Sequence, residues 1–411
     1  MITFVALLMF IQLGEGWGTS TLLCGLLTTP WLLKSFVREK VRHMGHYTLV
    51  LCLIEIFIFF ALVALAFSFT IVENRTWLVF TALMILCLFC AWHELVARMY
   101  YERSLRPRQQ QLYNAPKMFF SQSSTVLTYG VMILVVGSLE IFYHNRRMAI
   151  PLSWSTAIYL LAGVYLLLLL VNLVALRLSA DKDIYEHETF GGALRAEMDV
   201  LDRIVHKPQW LSIVISFFLL LLPQSLMFHA RVLYLIAPHT VGGLGCSLQW
   251  IGLAQGTVGV MAFSFGLIAG HRLLWTLRFG GHNTSIVFYT MAFTLGLSPV
   301  CYLLMTIWPP TTLLPICIAT FFAQSLFGFG LNCSTFFVHF ISEGRYRSTI
   351  NYLYIPFVAL VMAVPVAASG WLVEWLGFDC FFIIDTLLAL LAWLAARWAW
   401  THHFAHDTLR Y

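Results

Sequence analysis

Charge is the scarcest property of this sequence. Asp, Glu, Lys and Arg make up 10% of its 411 residues, against about a quarter in an ordinary soluble domain. No stretch has the composition of a folded soluble domain or a low-complexity tail. No P-loop signature is present, so ATP-driven work by this chain has no support. HELVA, from His93, has no second histidine at the spacing a helical zinc protease needs. The run ITFVALLMFIQL after Met1 has neither a basic leader nor a small-residue cleavage site, and is expected to be a helix of the fold, not a signal peptide. Cys87 and Cys90 form a C-x-x-C without a second pair, and the other cysteines are scattered through apolar runs. No cofactor, metal or catalytic group is expected.

What remains is apolar. Hydrophobic residues make up 60% of the chain, and the mean hydropathy is +0.82. A bilayer crossing needs about 20 apolar residues per helix. Long unbroken runs favour helices over the short alternating strands of a membrane barrel. The expected fold class is therefore an all-α integral membrane bundle.

The runs can be counted. Residues 2–13 are apolar but reach only about 18 Å as a helix, too short for a full crossing. Further segments are expected at Thr19–Phe36 with Pro30 inside, Tyr47–Ile71, Trp77–Ala97, Tyr113–Glu140 and Ser153–Leu176. A polar stretch of mixed charge comes next at 179–208, read as a central cytoplasmic linker able to form a surface helix. Beyond it come Trp210–Ala237, Leu248–Gly270, Ser285–Trp308, Leu313–Ile341, Ile350–Leu376 and Phe381–Trp400. The plan is twelve helices, with 11–12 crossings, in halves 1–178 and 209–411. Alternating the loops puts most of the 24 Lys and Arg on one side, while Arg75, Arg146 and Arg147 fall on the other. That asymmetry places the carboxy-terminus in the cytoplasm, as expected for a multi-pass protein of the cytoplasmic (inner) membrane.

The halves echo each other weakly. GSLE at 137–140 and GWLVE at 370–374 end corresponding segments, and glycines 252, 256, 259, 266 and 270 leave a small-residue face. Such a plan favours a transporter built from two repeats around a central site. Here the chain resembles the major facilitator superfamily, and within it the muropeptide permease (AmpG-type) branch. The resemblance rests on TTPWLLKSF (28–36), AWHELVARMYY (91–101), the glycine-rich 242–270, QSLFGFGLNCSTFFVHF (324–340) and ASGWLVEWLGFDCFF (368–382). It implies a major-facilitator-type bundle and proton-coupled uptake of sugar–peptide fragments by alternating access. The expected partners are then a small polar solute, protons and the bilayer, with no nucleic acid, and the chain is expected to act as a monomer. The chain departs from the branch at its acids. Arg98 stands where a second aspartate is usual, Gln224 where a glutamate often follows the proline, and the first helix is short.

Ionisable groups within apolar segments mark the candidate sites. Glu55 lies deep in its segment, either as an unpaired proton carrier or as a paired structural acid. His93 and Glu94 point about 100° apart on a helix, and Glu94 and Arg98 have the i,i+4 spacing of an ion pair. Glu94 is read either as a gate pair with Arg98 or as a coupling group. His229 and Arg231 lie toward the outer end of their segment, with Arg231 either reaching for the interface or anchoring a solute. His339 and Asp385 complete the set as cavity residues. Two rivals to a transporter stand beside it. One is a degenerate permease acting as sensor or scaffold, and the other an integral-membrane transferase working on a lipid-linked substrate at Glu94 and the basic loop 98–108.

Overall fold

A computed structural model describes residues 2–42, 46–73, 75–175, 202, 206, 210–280, 284–334, 337 and 347–404. Among them the regular structure is entirely helical. The helices are α1 (Ile2–Gln12), α2 (Trp17–Leu26), α3 (Thr29–Arg42), α4 (Tyr47–Ser68), α5 (Arg75–Ser104), α6 (Pro107–Val126), α7 (Met132–Phe142) and α8 (Ala149–Ala175). They continue with α9 (Trp210–Ile236), α10 (Leu248–Ile251), α11 (Val260–Gly280), α12 (Thr284–Ile307), α13 (Leu313–Leu331) and α14 (Arg347–Ala399). Two π-helical stretches, Leu127–Val131 and Gly252–Gly259, join α6 to α7 and α10 to α11. Nine stretches among the described residues are long and apolar enough to cross a membrane, and the chain is a multi-pass membrane protein. The last of the nine, Val361–His402, is two helices, because Gly377 turns the backbone at φ +73° where a side chain would be strained.

The chain divides into two compact units. One comprises Met1–Glu15, Leu26–Ser124 and Val135–Asp199, and the other Gly16–Gly25, Thr125–Leu134 and Val200–Tyr411. In the first unit, α4 packs on α5 and α8, and large apolar side chains such as Phe60, Leu167 and Val174 point outward as lipid requires. The short α1 is buried on all faces from Thr3 to Phe10. Its end is fixed by Gln12, whose amide donates to Glu140 Oε1 at 2.7 Å and accepts from Trp154 Nε1 at 2.5 Å.

The segment expected at Thr19–Phe36 is broken at Leu27–Thr28. Pro30 has no N–H to give the carbonyl four residues earlier, and it sits in the first turn of α3 where that loss is harmless. The deprived carbonyl, of Leu26, accepts instead from the Thr29 hydroxyl at 2.8 Å. The same chemistry recurs in the second unit. Pro299 inside α12 deprives Leu295 O, which accepts from the Gln224 amide of α9 at 2.6 Å. The helix expected at Leu313–Ile341 breaks after Leu331, with Ser334 and Phe337 helical again and the rest of the segment outside the described residues, and Asn332 explains the break. Its amide donates to the carbonyls of Leu267, Gly328 and Phe329, competing with the next helical turn. The polar stretch 179–208 lies outside the described residues apart from Asp202 and His206.

Glycines let backbones meet in the second unit. A Cβ on Gly266 would stand 2.0 Å from Ser325 O, and one on Gly328 2.2 Å from Phe263 O, so α11 and α13 touch through main chain. Gly163 of α8 has open space there.

Two outcomes are expected for the purified protein in detergent. Gly266→Ala lowers stability by about 1–3 kcal/mol through overpacking, while Gly163→Ala leaves it unchanged or raises it, both read by thermal unfolding. Gln224→Leu costs about 1–3 kcal/mol by stranding Leu295 O, and adding Pro299→Ala, which restores an N–H to that carbonyl, recovers most of the loss.

Candidate functional site

α4 is apolar throughout its 22 residues except near its middle, where Glu55 is 5% exposed. Its neighbours supply what the carboxylate needs. His93 Nε2 of α5 lies 3.2 Å from Glu55 Oε1, and Asn172 Nδ2 of α8 donates to the same oxygen at 2.9 Å. The phenol of Tyr165 on α8 lies within electrostatic reach. Glu55 Oε2 is buried without a partner among the described residues. Glu55 is thus a paired acid with one oxygen still open, and His93, one-third exposed, connects it to the polar side of the helix pair.

His93 and Glu94 do diverge. His93 turns to Glu55, whereas Glu94 turns to α3, accepting from Lys34 Nζ at 2.8 Å and from Trp31 Nε1 at 2.9 Å. The expected Glu94–Arg98 pair does not form. Arg98 donates to Glu102 Oε1 at 3.1 Å, also i,i+4, with Glu102 the carboxylate on its C-terminal side. Lys34 from a second helix then takes the place at Glu94 that Arg98 leaves. The Glu94 side chain is 48% exposed, so this tie contributes little to stability, about 0–1 kcal/mol. At the basic end of α5, Gln110 donates to the Glu102 and Leu105 carbonyls, Arg103 lies over Tyr47 and Lys117 over Tyr101.

The second unit holds a different set. His229 of α9 is fully buried, its ring against Phe228 and beside the Val366 carbonyl, and it faces the packed interior of the unit. Two residues on, Arg231 has a buried Nε with no partner among the described residues. Its guanidinium lies 5.1 Å from the Phe228 ring centre and within electrostatic reach of Tyr129 and Tyr302. Tyr302 accepts from Gln255 Nε2 at 2.8 Å, and the same amide reaches Thr320 Oγ1 at 3.4 Å. Gln324, one turn from Thr320, is 5% exposed with its Nε2 unpartnered among the described residues. Asp385 is buried with neither carboxylate oxygen bonded among the described residues, and no ion pair joins it to Arg231. His339 lies outside the described residues. No group of three His, Cys, Asp or Glu suited to a metal occurs among the described residues.

In the first unit, then, Glu55 pairs with His93 and Glu94 with Lys34, and in the second Arg231 lies among neutral polar groups. The residues that complete them, Asn172, Lys34, Trp31, Gln255, Tyr302, Thr320 and Gln324, carry a weaker sequence signal. Most are uncharged, and an amide or hydroxyl inside an apolar run was the clue available.

No protein-family model matches the chain, and no curated protein matches it in sequence. Solved structures do match in shape. The nucleoside transporter NupG aligns over 96% of this chain and 93% of its own, at 12% identity and TM-score 0.65. A POT family transporter in complex with 5-aminolevulinic acid aligns over 97% and 92%, at 12% identity and TM-score 0.66. A D-xylose–proton symporter aligns over 96% and 92%, at 14% identity and TM-score 0.63. At these identities the likeness is one of fold, and the fold is the major-facilitator-type helical bundle.

Stability separates the two ties of the first unit. Asn172→Leu, which strips Glu55 Oε1 of a buried donor, costs about 1–3 kcal/mol, and the double variant Glu55→Leu/Asn172→Leu costs less than the sum of its parts. Lys34→Ala costs under about 1 kcal/mol in the same thermal-unfolding measurement.

Proposed function

We propose that this protein is a secondary active transporter that moves a polar solute by proton-coupled alternating access of two six-helix halves, 1–178 and 209–411, joined by the cytoplasmic linker 179–208. The observation that carries the reading is the buried Glu55–His93–Asn172 cluster. A carboxylate with one open oxygen, reached through a partly exposed imidazole, is a group that can take and release a proton inside an apolar helix. The shared fold supports it, since the similar structures are of transporters for nucleosides, xylose with protons, and peptides. In this reading Glu55 carries the proton, His93 relays it, and the Glu94–Lys34 tie is a gate contact at the cytoplasmic end. Arg231 holds the solute, while Arg98, His229, His339 and Asp385 have supporting places. The chain sits in the cytoplasmic membrane with its carboxy-terminus inside, on the distribution of Lys and Arg.

For the solute, the resemblance to AmpG-type permeases points to a muropeptide or related sugar–peptide. A second reading has one observation in its favour. Gln224, standing where the branch often has a glutamate, is used to satisfy Leu295 O, so that position is structural and not a coupling site. On that reading the chain is a permease relative that senses or scaffolds.

Uptake of labelled muropeptide into proteoliposomes decides between them. The expected result is accumulation that needs an inward proton gradient, lost in Glu55→Gln while gradient-free exchange of solute survives. Absence of uptake and exchange by folded protein overturns the substrate. Accumulation by Glu55→Gln equal to that of the parent overturns the role of Glu55.

A further inference from the structure

Arg231, Tyr129, Tyr302, Gln255 and Gln324 share a property that the transporter reading alone does not require: they include buried donors without partners, and no acid pairs with them among the described residues. Arg231 Nε and Gln324 Nε2 are both buried donors without partners among the described residues. Gln255 spends its amide donors on Tyr302 and Thr320 oxygens, which leaves both hydroxyl protons to point elsewhere. Tyr129 stands within electrostatic reach of the guanidinium, and Phe228 closes one side of it. Among the described residues no Asp or Glu forms an ion pair with Arg231. A guanidinium in an apolar span with its Nε buried, unpartnered and without an ion-paired acid among the described residues is costly. An incoming anion would remove that deficit.

Backbone geometry marks the same place independently. The two π-helical stretches joining α6 to α7 and α10 to α11 each carry one member, Tyr129 in Leu127–Val131 and Gln255 in Gly252–Gly259. They meet closely, for a Cβ on Gly256 would stand 2.0 Å from Tyr129 O. An inserted π turn rotates the helix beyond it relative to an unbroken α-helix and is common where a helix presents a functional group. Of these two turns in contact, one carries Tyr129, within electrostatic reach of Arg231, and the other carries Gln255, bonded to Tyr302, which is also within that reach.

We propose that Arg231, Tyr129, Gln255, Tyr302 and Gln324 form an oxyanion subsite, and that the solute carries a carboxylate or phosphate group which binds there. The proposal rests on the transporter reading for the word solute, but the subsite itself is testable without transport. The guanidinium takes two anion oxygens through its forked N–H groups, and Gln324 and the phenols complete the shell. A neutral sugar would leave the charge uncompensated.

The test measures thermal stabilisation of the whole purified chain at constant ionic strength. The probes are N-acetylmuramic acid, its neutral counterpart N-acetylglucosamine, inorganic phosphate, acetate and chloride. At least one carboxylate or phosphate probe should stabilise the protein in a saturable way, while chloride and N-acetylglucosamine should not. The carboxylate and phosphate arms tell the two anion classes apart. Arg231→Gln should weaken the effective probe about 10- to 100-fold, as expected on losing a charged hydrogen-bonding partner. Arg231→Lys should fall between, having lost the fork but kept the charge. Should Arg231→Gln not fold, Gln324→Leu should weaken the same probe several-fold, and exposed Arg272→Gln should leave it unchanged. The proposal is overturned if no oxyanion stabilises the parent beyond chloride, or if the Arg231 or Gln324 variants respond as the parent does. Saturable oxyanion binding without uptake in proteoliposomes would retain the subsite and sink the transporter reading. Gradient-driven uptake of N-acetylglucosamine equal in parent and Arg231→Gln would do the reverse.

Discussion

A backbone carbonyl inside a bilayer has no water to turn to, and the local structure here is arranged around that fact. Each proline inside a span withdraws one N–H and so strands one carbonyl. At Leu26 a hydroxyl on the same strand of chain fills the gap, and at Leu295 an amide from a different helix does. The second solution joins α9 to α12, so a local defect becomes a tertiary tie. Asn332 shows the reverse use, its single amide shared among three carbonyls where a helix ends. Several side-chain amides among the described residues, those of Gln110, Gln224 and Asn332, answer backbone carbonyls in this way. Others serve side chains instead: Gln12 at Glu140 and Trp154, Asn172 at Glu55, and Gln255 at Tyr302 and Thr320.

Close approach through glycine complements these ties. Where main chain meets main chain, as Gly266 meets Ser325 and Gly328 meets Phe263, there is no side chain to yield, and the helices are held by shape. Hydrophobic burial cannot drive that packing inside lipid, so shape and polar ties carry it.

The positions of the long apolar helices were legible because bilayer thickness sets segment length. The break at Leu27–Thr28 could be foreseen only as far as Pro30 revealed it, and the stop at Asn332 not at all, because an asparagine looks alike whether it caps a helix or faces a neighbour. The divergence of His93 and Glu94 followed from helical geometry. The partner of Glu94 did not, since the i,i+4 spacing pointed to Arg98, and only the approach of α3 brings Lys34 to it. The oxyanion subsite was visible as one residue, Arg231. Its uncharged lining was hidden among apolar runs in which core and lipid faces read the same, leaving no periodicity to show which side a glutamine faces.

The π-helical stretch Gly252–Gly259 also alters how positions along this span correspond to those of any other helix. Each residue added to an α-helical path turns the remainder by about 100°. A chain with an unbroken helix at this place would match Leu248–Ile251 in one frame and Val260–Gly280 in a frame shifted by a residue. Residue-by-residue equivalence across the stretch would then set inward positions against outward ones. Chains of this architecture can share the same spatial arrangement while their letters fall out of step by one residue beyond such a stretch.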